Sequence, residues 1–230
     1  MYICIRNLKM KNIMKRTIAI IGANGRMGSA LSRRLAMAGH RILLAGRSRA
    51  GLRRVYNEIT RITANADVGL LECQHEASWE ADVIIPAVPY NAQAEVAGRI
   101  KDVVTGKIVV SIANPLNETY DGLLTQSGIS AAEELAALLP YSRIVKAFNT
   151  IAASDLEAQS VKKPDCFVAG DDDDAVATVS ALVADAGFLP FLAGKLVASR
   201  TLEAMTLLLI SGRMKSGAAP AALQAMHEFQ

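Results

Sequence analysis

Residues 22–28 read GANGRMG, three glycines at G-x-x-G-x-x-G spacing between a compact β-branched run and an amphipathic helical pattern. The run before it, RTIAIIG (16–22), reads as a buried strand. The stretch after it, RMGSALSRRLAMAG (26–39), repeats Met27, Leu31, Leu35 and Ala38 at helical spacing and is stopped by Gly39. A chain that must pass from strand to helix through such a turn is committed to a βα unit. Gly22 and Gly25 permit a sharp turn that brings backbone N–H groups against a pyrophosphate, and Gly28 lets the helix approach the sheet. The helix N-terminus adds partial positive charge. Gly22, Ala23, Asn24, Gly25, Arg26, Met27 and Gly28 are therefore expected at the phosphates of a dinucleotide.

The rest of the chain continues the alternation. HRILLAG, ADVGLLE, ADVIIPAV, GKIVVSIA, SRIVKAF, DCFVAG and FLPFLAG read as further strands. Between them lie a basic helix through about Thr60, a helix near 91–103, a helix over 128–139 in which Ser130 and Glu133 have capping-box spacing, and a helix over 173–187. A long apolar helix is expected from about Leu196 to Ile210. Half the residues are apolar (51%) and few are aromatic (5%), which suits helices packed closely on a parallel sheet. The fold class is α/β, a Rossmann-type doubly wound parallel sheet, with a small C-terminal α/β extension ending in that helix. Residues 16–150 are assigned to the dinucleotide-binding domain and 151–230 to an extension bordering a second ligand. Residues 1–15 are basic and lack acids; they read as a leader outside the native domain or disordered, with Met14 opening the domain proper.

The second strand ends in LLAGRSRAGLRR (43–54), which carries four arginines, and no Asp or Glu precedes Glu58. A carboxylate at such a strand end grips the ribose hydroxyls but repels a phosphate esterified to one of them. Arg47, Ser48 and Arg49 offer planar donors, a hydroxyl and positive charge instead, which suits a 2′-phosphate. NADP(H) is expected in preference to NAD(H). Arg53 and Arg54 read equally well as a solvated helix face.

In open α/β sheets ligands lie outside the carboxyl ends of the strands. GANG, GRS, VPY (Val88, Pro89, Tyr90), ANP (with Asn114, Pro115) and FNT (with Asn149, Thr150) each follow a strand, so all five loops should crowd one rim. The histidines, His40, His75 and His227, are isolated, His40 reading as a surface or turn residue between helix and strand. No nucleophile–base set and no metal site is read from the sequence; DDDD (171–174) reads as helix-opening carboxylates. Cys4, Cys73 and Cys166 are far apart and suggest neither a disulfide framework nor zinc. No apolar run reaches membrane-spanning length, and a cytoplasmic protein without nucleic-acid or membrane partners is expected.

An ordered set of segments makes the resemblance specific: IGANGRMGSALSRRLAMAGH, AVPY, GKIVVSIANPL, SAAEELAALLP, VKAFNTI, FVAGDDDDA and AGKLVASRTLE, together spanning about residues 17–212. The chain resembles the NADP oxidoreductase, coenzyme F420-dependent family, and its nucleotide domain is also similar to that of the STEAP metalloreductases. The resemblance implies that Arg47 meets the 2′-phosphate, with Gly46 standing where a serine is usual and Ser48 compensating. It implies that Pro89 and Tyr90 lie beside the nicotinamide, where Pro-Trp is usual, with Asn114 and Pro115 on the next loop. It implies that Asn149 and Thr150 face the reacting rings, and that Ser199, Arg200 and Glu203 begin a helix bordering the electron acceptor. Lys195 replaces a usual proline and is a further acceptor-side candidate.

The function expected is hydride transfer between NADP(H) and a deazaflavin, coenzyme F420, or a flavin-like acceptor, with no obligatory acid–base side chain. Two alternatives stand beside it. Reduction of a small carbonyl or imine would require a proton donor, for which Tyr90 and Lys195 are the candidates; a sensor module would bind NADPH without turnover. A homodimer is expected, the C-terminal helix covering either the acceptor site or a second subunit.

Overall fold

In the computed structural model residues 15–158 and 163–216 are described, so the leader expected over residues 1–15 falls almost wholly outside them. The chain runs β1 (Thr17–Ile21), α1 (Arg26–Met37), β2 (Arg41–Ala45), α2 (Arg49–Ile62), β3 (Val68–Leu71), α3 (Gln74–Glu80) and β4 (Val83–Pro86). A 3-10 turn (Tyr90–Ala92) leads into α4 (Gln93–Ile100), then β5 (Ile108–Ser111), α5 (Ala131–Leu138), β6 (Arg143–Lys146) and α6 (Ala153–Glu157). Last come β7 (Asp165–Gly170), α7 (Asp173–Asp185), β8 (Leu189–Gly194), a second 3-10 turn (Leu196–Ala198) and α8 (Ser199–Ser216). The eight strands form one sheet in the order β3-β2-β1-β4-β5-β6-β7-β8. The helix α3 was not legible, because QHEASWE is short and its buried face is only Ala77 and Ser78.

The central strands are apolar along their whole length because both faces are covered. In β1, Ile18 and Ile20 pack on one side with Leu31 and Leu35 of α1, Leu52, Val55 and Ile59 of α2, and Val179 and Leu182 of α7. Ala19 and Ile21 point to the other side, against Ala77 of α3, Val96, Ala97 and Ile100 of α4, and Leu135 of α5. Each fully buried Leu or Ile contributes about 1.5–3 kcal/mol relative to exposure, so the two faces together dominate folding.

The sheet departs from the parallel expectation at one place. Pairs from β3 through β6 are parallel, but β7 lies antiparallel to β6, with Val145 opposite Gly170 and Lys146 opposite Ala169. Among the described residues the chain between Lys146 and Asp165 carries the five-residue α6 and no longer helix, and it does not return to the amino end of the sheet. The strand β7 therefore enters from the rim where β6 leaves. A full helix, α7, then makes β8 parallel to β7. Loops after β7 and β8 consequently emerge at the opposite end, where Arg143, the first residue of β6, lies 3.7 Å from Asp172.

Capping chemistry follows the sequence reading. Ser130 Oγ accepts from Glu133 N while Glu133 Oε2 accepts from Ser130 N, closing the capping box on α5. Asp172 accepts from Ala175 N at the start of α7. His40 differs from its surface assignment: it is 1% exposed, and its Nδ1 accepts from Arg16 N. Its Nε2 thus carries the hydrogen toward Asp185, 3.0 Å away, stitching α7 to the start of β1.

The C-terminal helix also departs from expectation. It begins at Ser199, after the 3-10 turn, and its buried positions include Ser199, Glu203 and Thr206 beside Leu202, while Leu208 is 72% exposed. It is a helix with a partly polar buried stripe, not an apolar rod. Among the described residues no helix is long and apolar enough to cross a membrane.

Candidate functional site

The strand order reverses beside β1, whose neighbours are β2 and β4, and a crevice opens there at the carboxyl ends. The loops after β1 and β4 touch: a Cβ on Gly22 would stand 2.5 Å from the Ala87 carbonyl oxygen, and Gly22 takes φ +85°. Only glycine satisfies both conditions. A Cβ on Gly28 would overlap the Gly22 carbonyl oxygen, so Gly28 is what lets α1 seat on the turn. Ala23 is buried, its N–H donating to the Ala45 carbonyl at the end of β2.

The N-terminus of α1 shares the lack of a side-chain cap with α3 and α4, but those two carry Glu76 and Glu95 in their first turns. Side chains cap α2 (Ser48), α5 (Ser130) and α7 (Asp172), whereas α1 has Gly25 at its N-cap, no side-chain cap and no acid in its first turn. Gly25, Arg26 and Met27, where α1 opens, line the cleft. An uncapped helix start beneath a glycine turn fits a pyrophosphate group.

At the end of β2, Arg47 is exposed, and no hydrogen bond or ion pair engages it among the described residues. Arg49 lies 3.1 Å from Glu72 on the surface, and Ser48 uses its hydroxyl to accept from Gly51 N. Arg54 lies near Glu58 at 3.9 Å, as a solvated face would. Asn24 leans over this strand end: a Cβ on Gly46 would meet Asn24 Oδ1 at 2.8 Å. The space a serine at 46 would fill is thus occupied by the Asn24 amide.

The cleft extends from α1 as a volume of about 880 Å³ walled by Val88, Pro89, Tyr90, Ile112, Ala113, Asn114, Phe148, Asn149, Ile151 and Ile210. Its polar end is built from two amides. Asn114 Nδ2 donates to the Asn149 carbonyl at 2.8 Å, and Asn149 Nδ2 shares its two hydrogens among Asn114 Oδ1, the Leu202 carbonyl and Thr206 Oγ1, all within 3.1 Å. That leaves Asn149 Oδ1 buried without a partner, as an acceptor available to a ligand, whereas Thr150 Oγ1, also unpartnered, belongs to a residue that does not line the cleft. Phe148 makes this placement possible at φ +58°, a left-handed conformation that a bulky residue rarely adopts. Pro115 lies buried just behind Asn114, and its carbonyl accepts from Leu124 N.

Tyr90 borders the cleft but spends its hydroxyl on the protein, donating to Glu134 Oε2 at 2.7 Å. Burial first, then the hydrogen bond and charge of Glu134, push the phenol up to about 12. Glu133, the next acid along, is held down to about 2 by Arg200 and by Ser130. Deeper in, Lys146 and Glu203 form an ion pair at 2.6 Å, each fully buried. Burial pushes the Lys146 ammonium below the ordinary lysine range against the opposing pull of Glu203.

The structure thus brings Gly25, Arg26, Met27, Val88, Pro89, Tyr90, Asn114 and Asn149 to one cleft, with Gly22, Ala23, Asn24 and Gly28 in the turn beside it. Lys195 is not brought there: antiparallel β7 and β8 carry it to the far end, 3.6 Å from Asp173 and donating to the Asp171 carbonyl. Ser199 is fully buried, and Arg200 is turned onto Glu133; neither is among the cleft walls. The reading missed Phe148, the Ala152–Ser154 stretch and Ile210 as walls, and Lys146 and Glu134 as supports. For Lys146 a signal existed, a lone cation in the apolar strand RIVKAF. For the walls there was none.

The profile of the NADP oxidoreductase, coenzyme F420-dependent family matches residues 17–115. An F420-dependent NADP reductase from Methanothermobacter marburgensis is 30% identical over 209 residues, 86% of this chain and 93% of that protein. Rat metalloreductase STEAP3 is 29% identical over 84% of this chain, which spans 37% of that protein. A crystal structure described as a putative F420-dependent NADP reductase from an Arthrobacter species superposes with a TM-score of 0.77 at 24% identity, covering 89% of this chain and 96% of that one; it shows the shared fold. With its glycine turn, its uncapped helix and a similarity to the methanogen reductase that covers most of both chains, the chain belongs to the NADP oxidoreductase, coenzyme F420-dependent family of oxidoreductases.

Proposed function

We propose that this protein moves a hydride between NADP(H) and coenzyme F420. The observation that carries the nucleotide half is the pairing of an uncapped α1 N-terminus with an unengaged Arg47 at the end of β2. The first suits a pyrophosphate, and the second a phosphate on the adenosine ribose. The acceptor half rests on the reductases to which the chain is similar, whose names specify F420 and NADP.

When bound, the nicotinamide supplies the hydride and the deazaflavin takes it up. The chain's part is to hold, orient and dry. Val88, Pro89, Ile112, Phe148, Ile151 and Ile210 give the cleft apolar walls that exclude water. Asn149, fixed by Asn114, Leu202 and Thr206, presents Oδ1 as an oriented acceptor. Such positioning is the main protein contribution when the chemistry resides in two rings.

Reduction of a carbonyl or imine is less well served. Of its two candidate proton donors, Tyr90 is committed to Glu134 and Lys195 lies at the other end of the sheet.

The deciding experiment mixes the protein with NADPH and oxidised coenzyme F420 and follows loss of the deazaflavin visible band, with NADH, FMN and FAD in parallel. Rapid bleaching with NADPH and F420 supports the proposal. Tight NADPH binding with no acceptor reduced would overturn its acceptor half and favour the sensor reading.

A further inference from the structure

The buried Lys146–Glu203 pair is not itself part of the cleft lining; it touches one wall, through the Ala113 carbonyl, and joins the segments that hold the others. Lys146, the last residue of β6, donates to Glu203 Oε1 and to the Ala113 carbonyl, each at 2.6 Å. The other carboxylate oxygen, Glu203 Oε2, accepts from Ala131 N at 2.9 Å, the first residue of α5. Three segments therefore meet at one ion pair. The loop after β5 carries Asn114, which orients Asn149. The helix α5 carries Glu134, which holds Tyr90. The helix α8 carries Leu202 and Thr206, which complete the hold on Asn149, and Ile210, which walls the cleft.

We infer that Lys146 and Glu203 are positioning residues for hydride transfer, setting the place of the cleft's amide end through the Ala113 carbonyl and the Ala131 N–H. The inference rests on the reading that the cleft holds two redox rings. A contribution to stability alone does not call for an ion pair, because a buried pair is commonly replaceable by apolar residues of similar volume without loss. This core is otherwise built from such residues. What Leu or Met at both places could not reproduce is direction: a donor aimed at one loop carbonyl and an acceptor aimed at one helix N–H. Misplacing reacting groups by about 1 Å costs on the order of a hundredfold in rate.

The test compares wild type, Lys146→Met, Lys146→Met/Glu203→Met and Ala131→Pro in the full chain. The proline removes the N–H arm, at a first helical position whose backbone tolerates it, after a residue already extended; because Ala131 is fully buried, its melting is compared with wild type first. The readouts are thermal melting, NADPH affinity, the fluorescence emission of bound NADPH, and single-turnover bleaching of oxidised F420. Lys146→Met alone should melt lower, since it strands a buried carboxylate, and the double variant should recover most of that loss. NADPH affinity should change by less than about threefold, the phosphate end being untouched. The double variant should show altered bound-nicotinamide emission and transfer slowed by about thirtyfold or more, with kcat falling and KM nearly constant; Ala131→Pro should slow transfer by about tenfold. Wild-type emission and wild-type transfer in a double variant that melts normally would overturn the inference and leave the pair structural. If the double variant does not melt cooperatively, Ala131→Pro decides: normal melting with unchanged emission and transfer overturns the inference. If wild type reduces no acceptor, the functional reading fails by itself, and the emission of bound NADPH in the variants still decides whether the pair positions the nicotinamide.

Discussion

Tyr90 donates its hydroxyl hydrogen to Glu134 across 2.7 Å, so the phenol on the cleft wall directs its polar end into α5. Its proton is held up to about 12 against an ordinary 10. Tyr90→Phe should therefore keep the hydride-transfer rate within about threefold while lowering stability by about 1 kcal/mol, the usual worth of one hydrogen bond. A loss of a hundredfold or more in single-turnover transfer would return Tyr90 to the role of proton donor. Because the folded phenol keeps its proton where the unfolded one loses it, this interaction stabilises fully below pH 10 and fades as pH rises toward 12. Melting curves of wild type and Tyr90→Phe should converge over that interval.

Arg47 stands unengaged where the adenosine ribose is expected. Arg47→Glu removes charge-assisted hydrogen bonds worth about 1.5–3 kcal/mol and adds repulsion toward a phosphate. NADPH affinity should fall at least about tenfold to a hundredfold, and NADH affinity should change little. Equal losses for both nucleotides, measured by fluorescence titration, would contradict a 2′-phosphate contact.

Gly46 and Asn24 share one space, since a Cβ at 46 would meet Asn24 Oδ1 at 2.8 Å and Leu52 Cδ2 at 3.3 Å. Gly46→Ser should consequently weaken NADPH binding, by about threefold to tenfold, even though serine offers an extra hydroxyl. Adding Asn24→Ala should recover that loss. Independent, additive effects of the two substitutions in titrations would show that the positions are not coupled.

Arg200 bonds the Glu133 carboxylate, which sits at about 2 with Arg200 as the largest cause and Ser130 assisting. A carboxylate depressed in the folded state stabilises above its unfolded value near 4.5 and ceases to do so as pH falls toward 2. Arg200→Met should therefore melt below wild type at pH 7, and the gap should close as pH is lowered through that interval. A gap independent of pH in thermal melts would mean that the pair contributes nothing through ionisation.

Much of the fold was legible because each element carried its own local signal. The alternation of TIAII, RILLA, VIIP and IVVS with amphipathic helices needed only side-chain periodicity, and the start of α5 needed only Ser130 and Glu133 three residues apart. The glycine turn was legible for the same reason, since it and α1 are contiguous in the chain. The other end of the cleft was legible only in part. Asn114 and Asn149 followed from the rule that loops after parallel strands share a rim, but Phe148 and Ile210 come from separate segments, and nothing in the composition of either says that they line the same cleft.

By itself the sequence determined an α/β sheet, a glycine turn shaped for phosphate and an arginine where an acid would select the other nucleotide, because those properties reside in short contiguous stretches. Only the tertiary structure decided that β7 runs against β6, since strand direction is set by the rim at which the chain re-enters the sheet, which no local side-chain pattern records. That single reversal sent Lys195 to the far edge. It was likewise the assembled fold that placed Lys146 beside Glu203, 57 residues away in the chain, and closed Tyr90 onto Glu134. Partnerships of that kind arise from packing separate elements over one sheet, where distance along the chain carries no information about distance in space.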